Sequence, residues 1–232
     1  MKKSFRYIFA ILLASIITIE GFPSTQLLRE DIKVEKQFFF KSGGQGSYEL
    51  NISYPLIRYS SPEVNHNVNL DIQRIMIMAI TDFTDKLVEI GKTDGFSSLT
   101  LDYKVYFHHA DILSLKFIKH TIIAGNPKPT IFSLTYNYDL KNEKGIQLKD
   151  LFLEEGEYKG RVIELAEDRV GNCRFKEESA LKNFCLDPEG IVLNINQFSK
   201  NKRNCKNEVK IAWEEVGDLM KEDGIANLFF QR

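Results

Sequence analysis

The clearest pattern in the chain is an alternation of apolar and polar residues between Leu99 and Phe107. Apolar or aromatic side chains occupy every odd position of this segment, and polar ones stand between them over most of its length. A period of two residues is typical of a strand that buries one face and exposes the other. The same alternation recurs at residues 48–54 and 131–138, so we predict strands in all three segments.

A different period, with apolar residues three and four positions apart, runs from Val68 to Ile90. This spacing predicts a long amphipathic helix with one apolar stripe. The segment 60–63 begins with two serines that can cap the helix, followed by a proline suited to its first turn. Gly91 supplies the end of the helix.

Turn residues divide the rest of the chain into short elements. The predicted elements are hairpins about the turns at 42–46, 108–111 and 187–190, helices at 157–170 and 213–220, and a last strand at 209–211. Together they predict an α+β fold of antiparallel sheets with helices packed on one face. We expect two lobes, a hairpin with the long helix at 27–92 and a mainly antiparallel domain at 93–221, followed by a tail at 222–232.

The first 21 residues have the pattern of an export signal. Lys2, Lys3 and Arg6 precede a nearly unbroken apolar run from Tyr7 to Ile19. A free-standing membrane span needs about 20 apolar residues, so this run fits the core of a signal peptide better. We therefore expect export, to the periplasm or outside the cell, with membrane contact only if the N-terminal segment is retained.

Composition and charge exclude some classes of partner. The formal net charge is −1, and Lys and Arg are scattered apart from a short run at 200–206. Nucleic-acid binding requires a concentrated basic face, which this distribution does not predict. The glycine-rich turn at 42–46 precedes a strand, whereas a phosphate-binding loop precedes a helix. The sequence therefore predicts no nucleic-acid partner and no cofactor.

Three cysteines, Cys173, Cys185 and Cys205, lie in the last third of the chain. In an oxidising compartment, two of them are expected to form a disulfide. We favour Cys173 with Cys185, which would stabilise the fold by about 3 kcal/mol through the unfolded state. The two pairings with Cys205 remain open. A nucleophilic cysteine is disfavoured, because no histidine has a recognisable spacing from any of the three.

His108, His109, Asp111 and His120 are candidate metal ligands. Neighbouring residues of a strand point to opposite faces, so one ion contacts both His108 and His109 only if the turn bends them together. We therefore interpret this segment as a polar turn and predict no structural metal.

Several segments resemble an RsiV-like family of exported bacterial domains. The matching segments are Tyr54-Pro55, a long helix from Asn69, Ile112–Leu115, Asn137–Leu140 leading to Gly145 and Leu148–Phe152, Phe184–Ile191, and Val209–Ile211 with Leu219. The family is known from the extracytoplasmic part of a lysozyme-sensing anti-sigma factor, and a similar module precedes the catalytic domain of certain peptidoglycan deacetylases. The resemblance implies an exported, non-catalytic binding module for a lysozyme-like protein or peptidoglycan. A histidine-containing loop frequent in the family is replaced here by Ala124–Pro127.

The residues that carry the resemblance have a structural interpretation. They are Asn137, Tyr138, Asp139, Asp150, Leu151 and Phe152. The two acids are expected to hold turns through their side-chain oxygens, while the aromatic and apolar side chains anchor the segment. The alternative is a hydrolase- or deacetylase-like enzyme acting on envelope glycan, with Asp139, Asp150 or His108-His109 in its site. No recognisable catalytic motif accompanies these residues, which favours the binding module.

Overall fold

The structure, a computed structural model, describes residues 32–43, 47–91, 95–153, 155–170, 181–195, 208–222, 225 and 227–230. The chain from Asp31 onward is one compact unit. The predicted signal peptide at 1–21 lies outside the described residues. Within the part that is described, no helix has the length and hydrophobicity needed to cross a membrane.

The longer strands and the two longer helices follow the order predicted from the sequence. The strands are β1 (Lys33–Ser42), β2 (Tyr48–Arg58), β3 (Ser97–His109), β4 (Ile112–Ile123), β5 (Asn126–Asp139), β6 (Lys144–Gly145), β7 (Phe184–Asp187), β8 (Gly190–Asn194) and β9 (Glu208–Ala212). The helices are α1 (Pro62–Ile90), α2 (Glu155–Val170) and α3 (Asn227–Phe230). Short 3₁₀ helices span Leu148–Leu151, Trp213–Glu215 and Gly217–Leu219.

Strands β1 to β6 form one sheet in sequence order. All neighbours are antiparallel except β2 and β3, which are parallel because α1 crosses over between them. The Ser61 side chain caps α1 by accepting from the Val64 N–H, and Gly91, with φ of 70°, ends it. The α+β fold class, the first hairpin and the long helix are thus confirmed.

Helix α1 packs on one face of this sheet. Its buried stripe consists of Val64, Val68, Ile72, Ala79 and Phe83. These side chains share one hydrophobic cluster with residues of β2, β3, β4 and β5. The odd positions from Leu99 to Val105 therefore face α1, with Leu99 and Leu101 almost fully buried. Phe107, which follows an irregularity in the pairing of β3 with β4, packs in the other hydrophobic cluster instead.

A second sheet, in the order β7-β8-β9, packs against β3, β4 and β5. Its residues form a separate hydrophobic cluster with α2, Trp213 and Phe229. The boundary predicted at residues 92 and 93 lies outside the described residues, and the strands on either side of it, β2 and β3, pair with each other. The closing helix predicted at 213–220 is wrong, since two 3₁₀ helices occupy this segment.

Cys185 of β7 is a free thiol buried between the two sheets, with 1% of its surface exposed. The disulfide predicted between Cys173 and Cys185 is therefore not formed in this structure. Cys173 and Cys205 lie outside the described residues. Cys185 instead packs with Tyr106 and Val192, and burial raises the pKa of its thiol to about 12.

Candidate functional site

A groove of about 690 Å³ opens beside the outer edge of β5. Its lining comes from β5, from the chain that leaves β6, from the start of α2, from the segment before β7 and from one residue of α1. The lining residues are Asp71, Thr135, Tyr136, Asn137, Tyr138, Gly145, Ile146, Gln147, Leu148, Lys149, Tyr158, Lys159, Leu181, Lys182 and Phe184.

The groove exists because β6 is very short. This strand pairs with β5 only at Tyr138 and Asp139. The Ile146 N–H then donates to the Asn137 carbonyl at 2.9 Å, after which the chain leaves the sheet. The Gln147 N–H donates to the Asp150 carboxylate at 2.8 Å, which starts a 3₁₀ helix in place of further strand. Asp150 thus directs the chain away from the outer edge of β5.

Two tyrosines from β5 form the aromatic part of the groove. The rings of Tyr136 and Tyr138 stack with centroids 5.7 Å apart, because side chains two residues apart lie on the same face of a strand. The Tyr136 hydroxyl donates to the Asp71 carboxylate at 3.4 Å. Burial, together with the charge of Asp71, raises the pKa of Tyr136 far above its ordinary value. Tyr136 is therefore a neutral hydroxyl at physiological pH.

The charged side chains of the groove are mostly basic. Lys149, Lys159 and Lys182 line it, and Asp71 is the one acid among its described lining residues. Asp71 also accepts from Arg74 at 2.8 Å, so its charge is partly compensated within α1. The described lining therefore carries net positive formal charge, which favours a ligand that bears carboxylates.

Asn137 holds the two sheets together behind the groove. It is 8% exposed, and its Oδ1 accepts from the Ser114 hydroxyl at 2.6 Å. Its Nδ2 donates to the Phe184 carbonyl at 2.8 Å, while the Ser114 hydroxyl also accepts from the Leu186 N–H at 2.9 Å. The side chain is thus a structural link between β5 and β7, and its backbone lies at the groove.

The two acids considered as catalytic residues both hold turns. Asp139 is 2% exposed, and its carboxylate accepts from the Asn142 N–H at 2.9 Å and from the Asn142 side chain at 2.7 Å. Asp150 caps the 3₁₀ helix through the Gln147 N–H. Neither acid lines the groove. Leu151 and Phe152 are buried beyond it, where the Phe152 ring stacks on Tyr158 at 4.5 Å.

The histidines considered as metal ligands do not line the groove. His108 and His109 end β3 beside a turn in which Asp111 has a positive φ of 69° and accepts from the Tyr59 hydroxyl at 2.7 Å. His120 pairs with Thr100 and Ile131 near the other end of β4, roughly 25 Å away at 3.3 Å per residue. Among the described residues, no group of three or more histidines, cysteines and acids is placed to hold a metal ion.

Sequence reasoning missed the basic residues of the groove and its acid. Asp71, Lys149 and Lys182 stand far apart in the chain, and each reads as an ordinary surface residue of its own element. The feature that could have indicated the groove is the very short strand β6, followed by Asp150 three residues after Gln147. This arrangement leaves the neighbouring strand without a partner.

No family model matches the chain, and no curated protein matches it. Two solved structures are similar in fold. A member of the DUF3298 family from Bacteroides fragilis is 13% identical with a TM-score of 0.57, covering 87% of this chain and 98% of its own. A DUF3298 family protein from Pseudomonas aeruginosa is 12% identical with a TM-score of 0.56, covering 82% and 94% respectively. At these identities the likeness shows the fold alone.

Proposed function

We propose that this chain is an exported, non-catalytic binding module of the cell envelope, and that the groove beside β5 takes an acidic segment of a protein partner. Export rests on the N-terminal pattern of basic residues followed by an apolar run. The RsiV-like resemblance supports a binding role. The observation that carries the proposal is the groove itself, which combines three lysines with a stretch of β5 that no described strand covers.

A protein ligand fits this groove better than a glycan. Sugar-binding sites stack aromatic faces on sugar rings, which requires an exposed ring face. Tyr138 is only 8% exposed, and the Tyr136 ring lies against it with its hydroxyl held by Asp71. The groove instead offers lysine ammonium groups, which bind carboxylates, and main-chain N–H and C=O groups of β5, which bind extended peptides.

The enzyme alternative places Asp139 or Asp150 in a glycan site. Most glycosidases need two carboxylates flanking the substrate, with one of them able to protonate a leaving group. Both acids are instead occupied by turn hydrogen bonds outside the groove. The positions of these acids therefore support binding without turnover.

Charge reversal in the groove tests the proposal. Binding of poly-L-glutamate, lysozyme and insoluble peptidoglycan to the purified full-length chain is measured beside release of sugar or acetate. Lys149→Glu with Lys182→Glu should weaken binding of poly-L-glutamate about five- to thirtyfold, taking roughly 0.5–1 kcal/mol for each of the two exposed charge contacts. Lys86→Glu, an exposed lysine of α1 outside the groove, is the matched control and should leave binding unchanged.

Three outcomes would contradict the proposal. Unchanged binding of poly-L-glutamate in the double variant would remove the groove as the site. Groove-dependent binding of peptidoglycan without binding of either polypeptide would replace the protein partner by wall glycan. Release of sugar or acetate by a folded wild-type chain, abolished by Asp139→Ala, would establish the enzyme alternative.

A further inference from the structure

We propose that the partner segment binds as an added β-strand along the outer edge of β5, at Thr135 and Asn137. This inference rests on the proposed function and specifies its ligand as an extended acidic peptide. The evidence is the direction of main-chain groups on β5, the point at which β6 ends, and the charge of the groove.

The direction of the main-chain groups follows from the contacts of β6. The Ile146 N–H donates to the Asn137 carbonyl, so the main-chain groups of Asn137 point away from β4. Main-chain groups of successive strand residues alternate between the two neighbours. Thr135, two residues earlier, therefore presents its N–H and C=O on the same outer side.

No described strand covers that outer side beside Thr135. Among the described residues, β6 reaches only Tyr138 and Asp139, and Thr135 has no strand partner beyond β4. Thr135 lines the groove between two occupied carbonyls, since Ile146 donates to Asn137 on one side and the Asn183 side chain donates to Ser133 on the other. Among the described residues, the open stretch is therefore the Thr135 main chain and the Asn137 N–H. An extended peptide would satisfy the Thr135 groups and the Asn137 N–H, which is how β-strand addition provides affinity.

The charge of the groove identifies the occupant. Lys149, Lys159 and Lys182 line the groove, and Asp71 is the single acid in the part of the lining that the structure describes. In an added strand, every second side chain points to the same wall, so acids at alternate positions would meet the ammonium groups. The occupant is thus an acidic peptide in extended conformation, with main-chain contacts for affinity and carboxylates for selectivity.

N-methylation of the peptide tests this binding mode directly. The probe is a fluorescent hexapeptide of alternating glutamate and valine, blocked at both ends, titrated against the full-length chain by fluorescence polarisation. Only alternate amides of an added strand donate to its neighbour. Methylation of one alternate set should weaken binding at least tenfold, and methylation of the other set should change it less than threefold. Equal effects of the two sets, or no binding of the hexapeptide, would overturn strand addition.

A proline series tests the same contacts from the protein side. Thr135→Pro removes an N–H that faces the groove and none that bonds to β4, a position at which edge strands tolerate proline. We expect at least tenfold weaker binding of the hexapeptide. Ile131→Pro is the matched control, since Ile131 has the same orientation on β5 and lies outside the groove.

The outcomes separate this inference from the proposed function. Loss of poly-L-glutamate binding on lysine reversal, with equal effects of the two methylated sets, would preserve the groove as the site and reject strand addition. If Thr135→Pro unfolds by circular dichroism, the methylated peptides still decide the question, because they leave the protein unchanged. Equal weakening by Thr135→Pro and Ile131→Pro in folded proteins would also reject it.

Discussion

Removal of the Glu208 charge should destabilise the protein more than removal of its partner. The Lys116 side chain is 7% exposed, and its ammonium lies 2.6 Å from the Glu208 carboxylate. The same carboxylate oxygen accepts from the Tyr106 hydroxyl at 2.6 Å. The pair joins the six-stranded sheet to β9, where Glu208→Gln leaves a buried ammonium without a counter-charge.

The expected cost of Glu208→Gln is about 2 kcal/mol. Breaking a fully buried pair costs roughly 3–5 kcal/mol, and this figure is reduced because the Glu208 side chain is 35% exposed and screened by water. Lys116→Met should cost about 1 kcal/mol or less, since it removes the buried charge itself and Glu208 can still reach water. Glu189→Gln, in an exposed pair with Lys210, is the control and should change stability by less than about 0.5 kcal/mol.

The measurement is urea unfolding followed by the fluorescence of Trp213, the single tryptophan, which is 2% exposed. Burial opposes ionisation of Glu208, but the hydrogen bonds from Lys116 and Tyr106 outweigh it and lower its pKa below 4.5. Its stabilisation is therefore present above pH 4.5 and is lost as the pH falls through the lower folded pKa. The difference between wild type and Glu208→Gln should disappear over that range. A larger cost for Lys116→Met than for Glu208→Gln would refute the reasoning.

Two further predictions concern β8 and the buried thiol. Gly190→Ala should destabilise the protein by about 3 kcal/mol or more, because a Cβ there would lie 2.0 Å from the Ile211 carbonyl oxygen. Gly160→Ala, inside α2 with open space around it, should stabilise the protein by about 0.5–1 kcal/mol, and the same urea-unfolding assay measures both changes. Cys185 should resist alkylation by iodoacetamide at pH 8 in the folded chain and react in urea, because burial raises the pKa of its thiol to about 12. Mass spectrometry of the peptide that contains Cys185 checks this, and rapid labelling of the native chain would contradict it.

Local periodicity was enough to predict the main elements. The alternation from Leu99 to Phe107 lies within β3. The spacing of three and four residues, with the serine cap and Gly91, predicted both ends of α1 to within one or two residues. These elements obey local rules because the same residues that favour the conformation also form the buried face. The closing segment after Trp213 did not follow such a rule, since a period of three residues over so short a run fits 3₁₀ helix as well as α-helix.

The sheet topology and the groove could not be predicted in this way. The parallel pairing of β2 with β3 depends on how α1 crosses the sheet, which no short segment encodes. The groove depends on Asp71 and Lys182, which approach one another only after both sheets have formed. The roles of Asp139 and Asp150 were easier to anticipate, because each contacts a residue three positions away.

The link between Ser114, Asn137 and β7 has a consequence for solubility. Strand β7 ends the small sheet, and such a strand ordinarily offers its backbone to other molecules. Here the Phe184 carbonyl and the Leu186 N–H are already bound by side chains of the larger sheet. One potential seed for aggregation is thereby removed from the surface, so a chain that lost this pair of side chains would be more prone to self-association during synthesis and export.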